Sequence, residues 1–331
     1  MMTKNLQTTF VCCVESGSLE TQTVRMIESL RRWGGKFADA PIYAVTPRFG
    51  PPLAKQTHQI FEQFQVKYLY FQKNDKYAWN KFLNKPSALV AVEELAQTEC
   101  IGWLDSDLLI VDEPDQLTLN QEESFLACAS DKNIGTTGLQ DPYEAYWQEI
   151  CKCVGIDIET LPWIKTEEEG ILIRLYWNSG IFVYRRSTNF AQHYLQTCLQ
   201  LFDACLASHK SGFFFNDQVA LGLTMVKMGI PWRGLPYSHN YGMGSKTHKD
   251  WYTEEKLKAA KIVHYHDAMW PAFWDTFIEC LSQTHPPVAD WLVSIGSMKN
   301  EAPPAFRAVK KVIDFKRSRQ ELAYMRACKV I

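Results

Sequence analysis

No stretch of about 18 uncharged apolar residues, the length a helix needs to cross a bilayer, occurs in this chain. Its 10 cysteines form no Cys-x-x-Cys pair. The nearest approaches, Cys12-Cys13 and Cys151-Lys152-Cys153, argue against a zinc site or a disulfide framework. Cys12, Cys13, Cys128 and Cys198 instead lie inside apolar runs as small core residues, so reduced thiols and a cytoplasmic setting are expected. Met1-Met2-Thr3-Lys4-Asn5 precedes Phe10 without a long apolar stretch, and no signal-peptide core is read there. No Gly-x-Gly-x-x-Gly follows a strand, which excludes the dinucleotide turn of NAD dehydrogenases. The run Gly242-Met243-Gly244-Ser245-Lys246-Thr247 echoes a phosphate loop but lacks its spacing. Lys and Arg number 35 against 37 Asp and Glu, a net charge of −2, so no basic excess points to nucleic acid. No internal repeat or low-complexity tract is found.

What is present fits an ordinary globular protein. At 331 residues the chain can bury a substantial core. Hydrophobic residues make up 46% and charged residues 22%, both average values. Short, largely apolar runs at Phe10-Val11-Cys12-Cys13-Val14, Pro41-Ile42-Tyr43-Ala44-Val45-Thr46, Val66-Lys67-Tyr68-Leu69-Tyr70-Phe71 and Ile101-Gly102-Trp103-Leu104 read as buried strands. Helical periods separate them: Val24, Ile27 and Leu30, then Ile60 and Phe64, then Leu89, Val92 and Leu95 after Pro86. This alternation predicts an α/β fold of Rossmann-like type with a mostly parallel central sheet. Ligands bind such sheets beyond the carboxyl ends of the strands. The natural site candidates are therefore residues 15–18, 46–48 and 105–107. Further on, Phe125 to Ala129 and Ile181 to Tyr184 read as strands, residues 190–205 and 217–228 as helices, and residues 135–170 show no clear period.

Four segments carry chemistry. In Trp103-Leu104-Asp105-Ser106-Asp107-Leu108-Leu109, two carboxylates flank one small residue between apolar runs. On a strand, positions i and i+2 face the same side, so both can reach one ion. Two such charges repel unless compensated, and a hard divalent cation compensates them. A bare Asp-x-Asp is also common in polar turns. In Ile262-Val263-His264-Tyr265-His266-Asp267, two imidazoles follow a strand-like run, and imidazole suits Mn²⁺. Asn178-Ser179-Gly180 reads as a turn before a strand that offers an amide and a hydroxyl to sugar hydroxyls. Asn216-Asp217-Gln218, after Phe215, opens a helix, where Asn216 or Asp217 would also serve as an N-cap.

In this order the four segments resemble the retaining glycosyltransferases of the glycogenin and lipopolysaccharide-galactosyltransferase type, over roughly residues 8 to 275. The resemblance implies the GT-A fold, a nucleotide-sugar donor (UDP-sugar first among them), and Mn²⁺ or Mg²⁺ as cofactor. It implies that Asp105, Asp107 and His264 bind the metal and that Asp217 and Gln218 face the transferred sugar. Glu15, Ser16, Lys85, Ser106, Asn178, Ser179 and Gly180 would lie along the donor, with Glu15 and Ser16 near the base. The family follows its His with a Gly and a Lys-Pro-Trp. This chain has His266-Asp267-Ala268-Met269-Trp270-Pro271, so His266 stands in for the diphosphate-binding Lys. Stereochemistry stays open on the residues themselves, because Asp217 suits either a retaining or an inverting site. The acceptor, whether carbohydrate, lipid-linked or protein, is likewise open.

Two other readings share features with this one. A sugar-phosphate nucleotidylyltransferase would carry a Gly-rich basic loop after the first strand, whereas Glu15-Ser16-Gly17-Ser18-Leu19-Glu20 is acidic. A non-catalytic sugar-binding protein would need no carboxylate–histidine set. Residues 1–285 are expected to form the catalytic domain and 286–331 a basic, helical extension. Within 306–329 eight basic residues face only Asp314 and Glu321, and Phe306, Val309 and Ile313 recur at helical spacing. That pattern fits either a helix docked on the domain or a peripheral contact with a membrane surface.

Overall fold

The computed structural model describes residues 7–73, 76–209, 212–213, 216–244 and 252–331. Phe215 and residues 245–247, singled out above, lie outside these. The first strands follow the apolar runs: β1 (Thr8–Cys13), β2 (Ile42–Thr46), β3 (Val66–Tyr70) and β4 (Cys100–Leu104). They are joined by α1 (Ser18–Trp33), α2 (Lys55–Gln63) and α3 (Asn84–Glu93). Then come β5 (Leu108–Ile110), β6 (Phe125–Cys128), α4 (Glu144–Val154), the hairpin β7 (Trp163–Lys165) and β8 (Leu172–Arg174), and β9 (Asn178–Arg185). The chain continues through α5 (Phe190–Ala204), β10 (Leu206–Ala207), α6 (Asn216–Met228), β11 (Trp232–Gly234), β12 (Tyr241–Gly242) and β13 (Ile262–His264).

Seven strands form the central sheet in the order β11-β6-β9-β4-β1-β2-β3. All neighbours run parallel except β9, which is antiparallel to both β4 and β6. Both faces are buried, and the period-2 alternation of a strand sorts side chains between them. Phe10, Cys12, Val14, Ile42 and Ala44 enter one core with Met26, Ile27 and Leu30 of α1. Val11, Cys13, Tyr43 and Val45 enter the other, with Leu89 and Val92 of α3, Tyr194 of α5 and Leu221 of α6. The result is a three-layer α/β/α domain. Residues 135–170, aperiodic by eye, contain α4. Its buried Tyr146, Trp147, Ile150, Cys151 and Val154 do repeat at helical spacing, but the mix of aromatic and cysteine residues disguises it.

The Asp105–Asp107 segment links β4 of the large sheet to β5 of a small one. There β13 pairs antiparallel with β5, opposing His264 to Leu108, and parallel with β12. Two helices follow, Trp274–Thr284 and Pro286–Ile295, and the second sends Val288, Ala289, Trp291 and Leu292 into the first core. The C-terminal helix Pro304–Ala327 lies on the surface with no buried residue. Its end is anchored where the Tyr324 ring meets Tyr77, Trp79, Phe202 and Phe213 and its hydroxyl donates to the Phe202 carbonyl at 2.9 Å. Beyond it, β14 (Lys329–Val330) pairs parallel with β10.

Candidate active site

At the carboxyl ends of β1 and β4 lies a cavity of 340 Å³, within the size range of small-molecule sites. Its walls include Glu15, Arg48, Lys85, Trp103, Asp105, Asp107, Ser179, Asp217 and Gln218. This is the position the strand alternation predicts for a ligand.

Lys85, buried at the start of α3, is the hub of one half. Its ammonium donates to the Ser179 carbonyl at 2.8 Å and to Ser179 Oγ at 2.6 Å. It lies 3.3 Å from both Asp105 Oδ1 and Asp217 Oδ2. Burial opposes its charge, but the two carboxylates outweigh burial and raise its pKa. Ser179 Oγ donates in turn to Asp217 Oδ2 at 3.0 Å. The Trp103 indole donates to Asp105 Oδ1 at 2.7 Å. Even so, burial keeps the Asp105 carboxyl above its usual range, with Lys85 opposing and Asp107 adding to the rise. The Gln218 carbonyl accepts from the Tyr176 hydroxyl at 2.6 Å.

The other half is a trio. Asp107, His264 and His266 each offer a ligand atom, all within 4.8 Å of one another. His264 Nε2 stands 3.3 Å from Asp107 Oδ1, His266 Nδ1 stands 3.7 Å from Asp107 Oδ2, and the two rings are 4.0 Å apart. Despite burial, His264 and then His266 hold the Asp107 carboxyl well below the usual range. Burial works against a charged His264, yet Asp107 raises its pKa overall. His266 itself has a φ of 48°, a left-handed conformation rare for a side-chain-bearing residue and concentrated at functional sites.

A hydrogen-bond chain behind the trio orients the His264 ring. Asn178 Oδ1 accepts from the Gly180 amide at 2.9 Å and from Asn240 Nδ2 at 3.0 Å. Asn240 must therefore present its carbonyl to His264 Nδ1, 3.1 Å away. A carbonyl only accepts, so Nδ1 donates to Asn240 and Nε2 is the nitrogen turned toward Asp107. This is how ligating histidines are oriented in metal sites. Gly180 is required for the same contact: a Cβ there would sit 2.6 Å from His264 Cε1.

The residues expected from sequence thus separate into groups. Lys85, Asp105, Asp107, Ser179, Asp217 and Gln218 converge on the cavity, and His264 and His266 meet Asp107 beside it. Asn178-Ser179-Gly180 is the start of β9 itself rather than a turn before it. A register shift between Ala127 and Cys128 brings Cys128 opposite Asn178 and extends the strand. Asn178 then serves His264 through Asn240. Although the Ser106 residue borders the cavity, its hydroxyl turns away, donating to the Cys13 carbonyl at 2.9 Å and accepting from Thr23 at 3.0 Å. Glu15 is clamped by Arg48 at 2.5 and 2.8 Å and by Asn84 at 2.8 Å. Burial opposes its ionisation, but Arg48, then Lys310, brings the carboxyl down to about 2. Ser16 borders a different cavity on the far side of this loop. Arg48 fell within a strand-end segment marked above, and Trp103 within a quoted motif. Asn240 left no local signal, because its importance comes only from its partners.

The family profile described as the Rhodobacterales glycosyltransferase domain matches residues 10–229 of this chain. No curated protein matches it. Among solved structures, the glycosyltransferase GlyE of Streptococcus pneumoniae TIGR4 superposes with a TM-score of 0.50 at 15% identity, covering 88% of this chain and 64% of GlyE. The bifunctional glycosyltransferase WbbM gives 0.49 at 12%, covering 89% and 52%. The galactosyltransferase LgtC, solved with donor and acceptor sugar analogues, gives 0.46 at 10%, covering 91% and 99%. This chain therefore spans less than two thirds of GlyE and of WbbM. At such identities the likeness establishes the fold, which is GT-A.

Proposed function

The chain belongs to the Rhodobacterales glycosyltransferase domain family, and we propose that it transfers a hexosyl unit from a UDP-sugar, with retention of configuration and with a divalent cation. The observation that carries this reading is that the Lys85–Asp105–Asp217 cluster lines one cavity and the Asp107–His264–His266 trio adjoins it through Asp107. Two imidazoles and a carboxylate suit Mn²⁺ better than Mg²⁺, which prefers oxygen ligands. His264 Nε2, left facing Asp107 because Asn240 takes Nδ1, is the nitrogen that a divalent ion would engage in place of a proton. Asp107, His264 and His266 are the residues assigned to hold it, and Asp105, already engaged by Trp103 and Lys85, supports the donor from the side. When bound, such an ion supplies Lewis-acid neutralisation of a leaving diphosphate.

The chain's own groups do the rest. Lys85 places a buried positive charge on the cavity floor, where negative charge grows as a sugar–phosphate bond breaks. Asp217 and Gln218 lie at the same wall and are assigned to the transferred sugar. Ser179 holds Asp217 in position. A thermal-shift panel of UDP, GDP, CMP and their sugars, with and without Mn²⁺, tests the reading. UDP with Mn²⁺ is expected to give the largest shift. A larger shift with GDP or CMP rejects the uridine donor, and no shift with any nucleotide rejects the donor site.

The outer face of the C-terminal helix favours peripheral contact with an anionic bilayer. Phe306 and Ile313 turn partly toward the protein, so the large apolar residues left exposed are Val309, Val312, Phe315, Leu322 and Met325. Val312 is 70% and Phe315 67% exposed, among the exposed cations Arg307, Lys311, Lys316, Arg319 and Arg326. Each such cation contributes about 1 kcal/mol near an anionic surface. Truncation would strip Tyr324 from its aromatic cluster, so the cleaner variant is Val312→Asp with Phe315→Asp. Wild type should co-sediment with anionic liposomes and the double variant should lose most of that binding. Equal sedimentation of the two assigns the helix a purely structural role.

A further inference from the structure

Behind the loop after β1 lies a second cavity, of 580 Å³, that the donor reading leaves unused. Ser16 and Gly17 form one wall. Asn300, Ala302 and the first turns of the C-terminal helix form the other, with Arg307, Lys310 and Lys311 in the lining. Ser16 is only 3% exposed, and its hydroxyl has no hydrogen-bond partner among the described residues. Buried hydroxyls are rarely left so, and each such case calls for an explanation.

The surroundings are rich in donors and poor in acceptors. Asn300 uses its carbonyl to accept from the Ala302 amide at 3.2 Å, which leaves its NH₂ group toward Gly17. Lys310 passes along the Gly17 backbone, with its Cδ and Cε 3.7 Å from where a Cβ would be. The helix begins at Pro303-Pro304 without a side-chain cap, so the partial positive charge of its N-terminus faces the same region. The acid in the lining is Asp314, which already pairs with Lys310 and Arg317. Glu15 lies 3.5 Å from Lys310 but is taken by Arg48. An excess of positive charge therefore remains.

We propose that this cavity binds a phosphoryl group, with Ser16, Asn300 and Lys310 as its inner donors and Arg307 and Lys311 at its rim. A phosphate monoester supplies several acceptor oxygens to match hydroxyl, amide and cationic donors arranged around one space, where charge-assisted bonds are strongest. The phosphoryl group can come from a soluble phosphorylated compound or from a lipid headgroup in the membrane beside this helix. The proposal does not depend on the donor, because neither Ser16 nor the rim cations border the donor cavity; Arg307 and Lys311 also belong to the outer face of the helix, and Ser16 does not.

The test uses the full chain and one chemical group in two forms. Glycerol 3-phosphate is titrated by calorimetry at constant ionic strength, and vesicles of phosphatidylcholine with phosphatidic acid are used for co-sedimentation. Three proteins are compared: wild type, Ser16→Ala, and Arg307→Glu with Lys311→Glu. Binding of glycerol 3-phosphate that weakens at least about tenfold in the charge-reversed protein, and measurably in Ser16→Ala, supports a soluble ligand. The same pattern with vesicles alone supports a lipid headgroup. Loss in the charge-reversed protein with none in Ser16→Ala, for either ligand, is surface electrostatics and overturns the proposal. So does binding of neither ligand by wild type.

Discussion

His264→Ala is expected to abolish the Mn²⁺-dependent part of the stabilisation that UDP confers, and Asp107→Asn to do the same. Each removes one of three ligand atoms that lie within 4.8 Å of one another. A ligand at a hundred times its dissociation constant stabilises the folded state by about 2.7 kcal/mol, and that increment should vanish. Asn240→Ala offers a graded control. It leaves all three ligands in place but frees the His264 ring, and losses of this kind typically lower metal affinity by about 10- to 100-fold. The measurement is a UDP thermal shift with Mn²⁺ and with chelator. A shift in wild type that chelator leaves unchanged would rule out the metal assignment, as would a full Mn²⁺ effect in His264→Ala.

Asp217→Asn is expected to lower turnover by about two orders of magnitude or more while leaving UDP affinity within a few-fold. The amide keeps the shape at the start of α6 and can still accept from Ser179. It withdraws one of the two negative charges that hold Lys85. Asp105 remains at 3.3 Å, so Lys85 stays paired and the fold should survive. Steady-state kinetics against donor concentration separate the possibilities. Unchanged turnover would reduce Asp217 to a helix-start residue that anchors Lys85, and a loss confined to donor KM would reassign it to binding.

Much of the catalytic constellation was legible in the chain because it sits at strand ends. Buried strands flanked by helices on both faces leave continuous apolar runs, and a polar break after such a run marks the sheet edge where ligands bind. Asp105 and Asp107 stand out on that basis and Asp217 stands out at a helix start, whereas Lys85 was named only through the family resemblance. Three local expectations failed for stated reasons. α4 was hidden because Tyr, Trp and Cys shared its buried face with few aliphatic residues. The Asn-Ser-Gly segment looked like a turn because those residues favour turns, but pairing of Asn178 with Cys128, across an irregularity whose extra residues lie in β9, drew it into that strand. The apolar stripe of the C-terminal helix was placed on Phe306, Val309 and Ile313, whereas docking through Tyr324 and Lys310 turned Phe306 and Ile313 partly inward.

Residue order alone determined the alternation of strands and helices, the α/β class and the carboxylates at the end of β4, because these follow from periodicity within a dozen residues. Only the tertiary structure decided which groups meet. The antiparallel pairing of β13 with β5 brought His264 to Asp107. The close approach at Gly180 admitted its ring, and Asn240, 62 residues from Asn178, oriented it. Such contacts depend on strand register and on the packing of both sheet faces, which are properties of the whole folded chain and leave no local pattern to read.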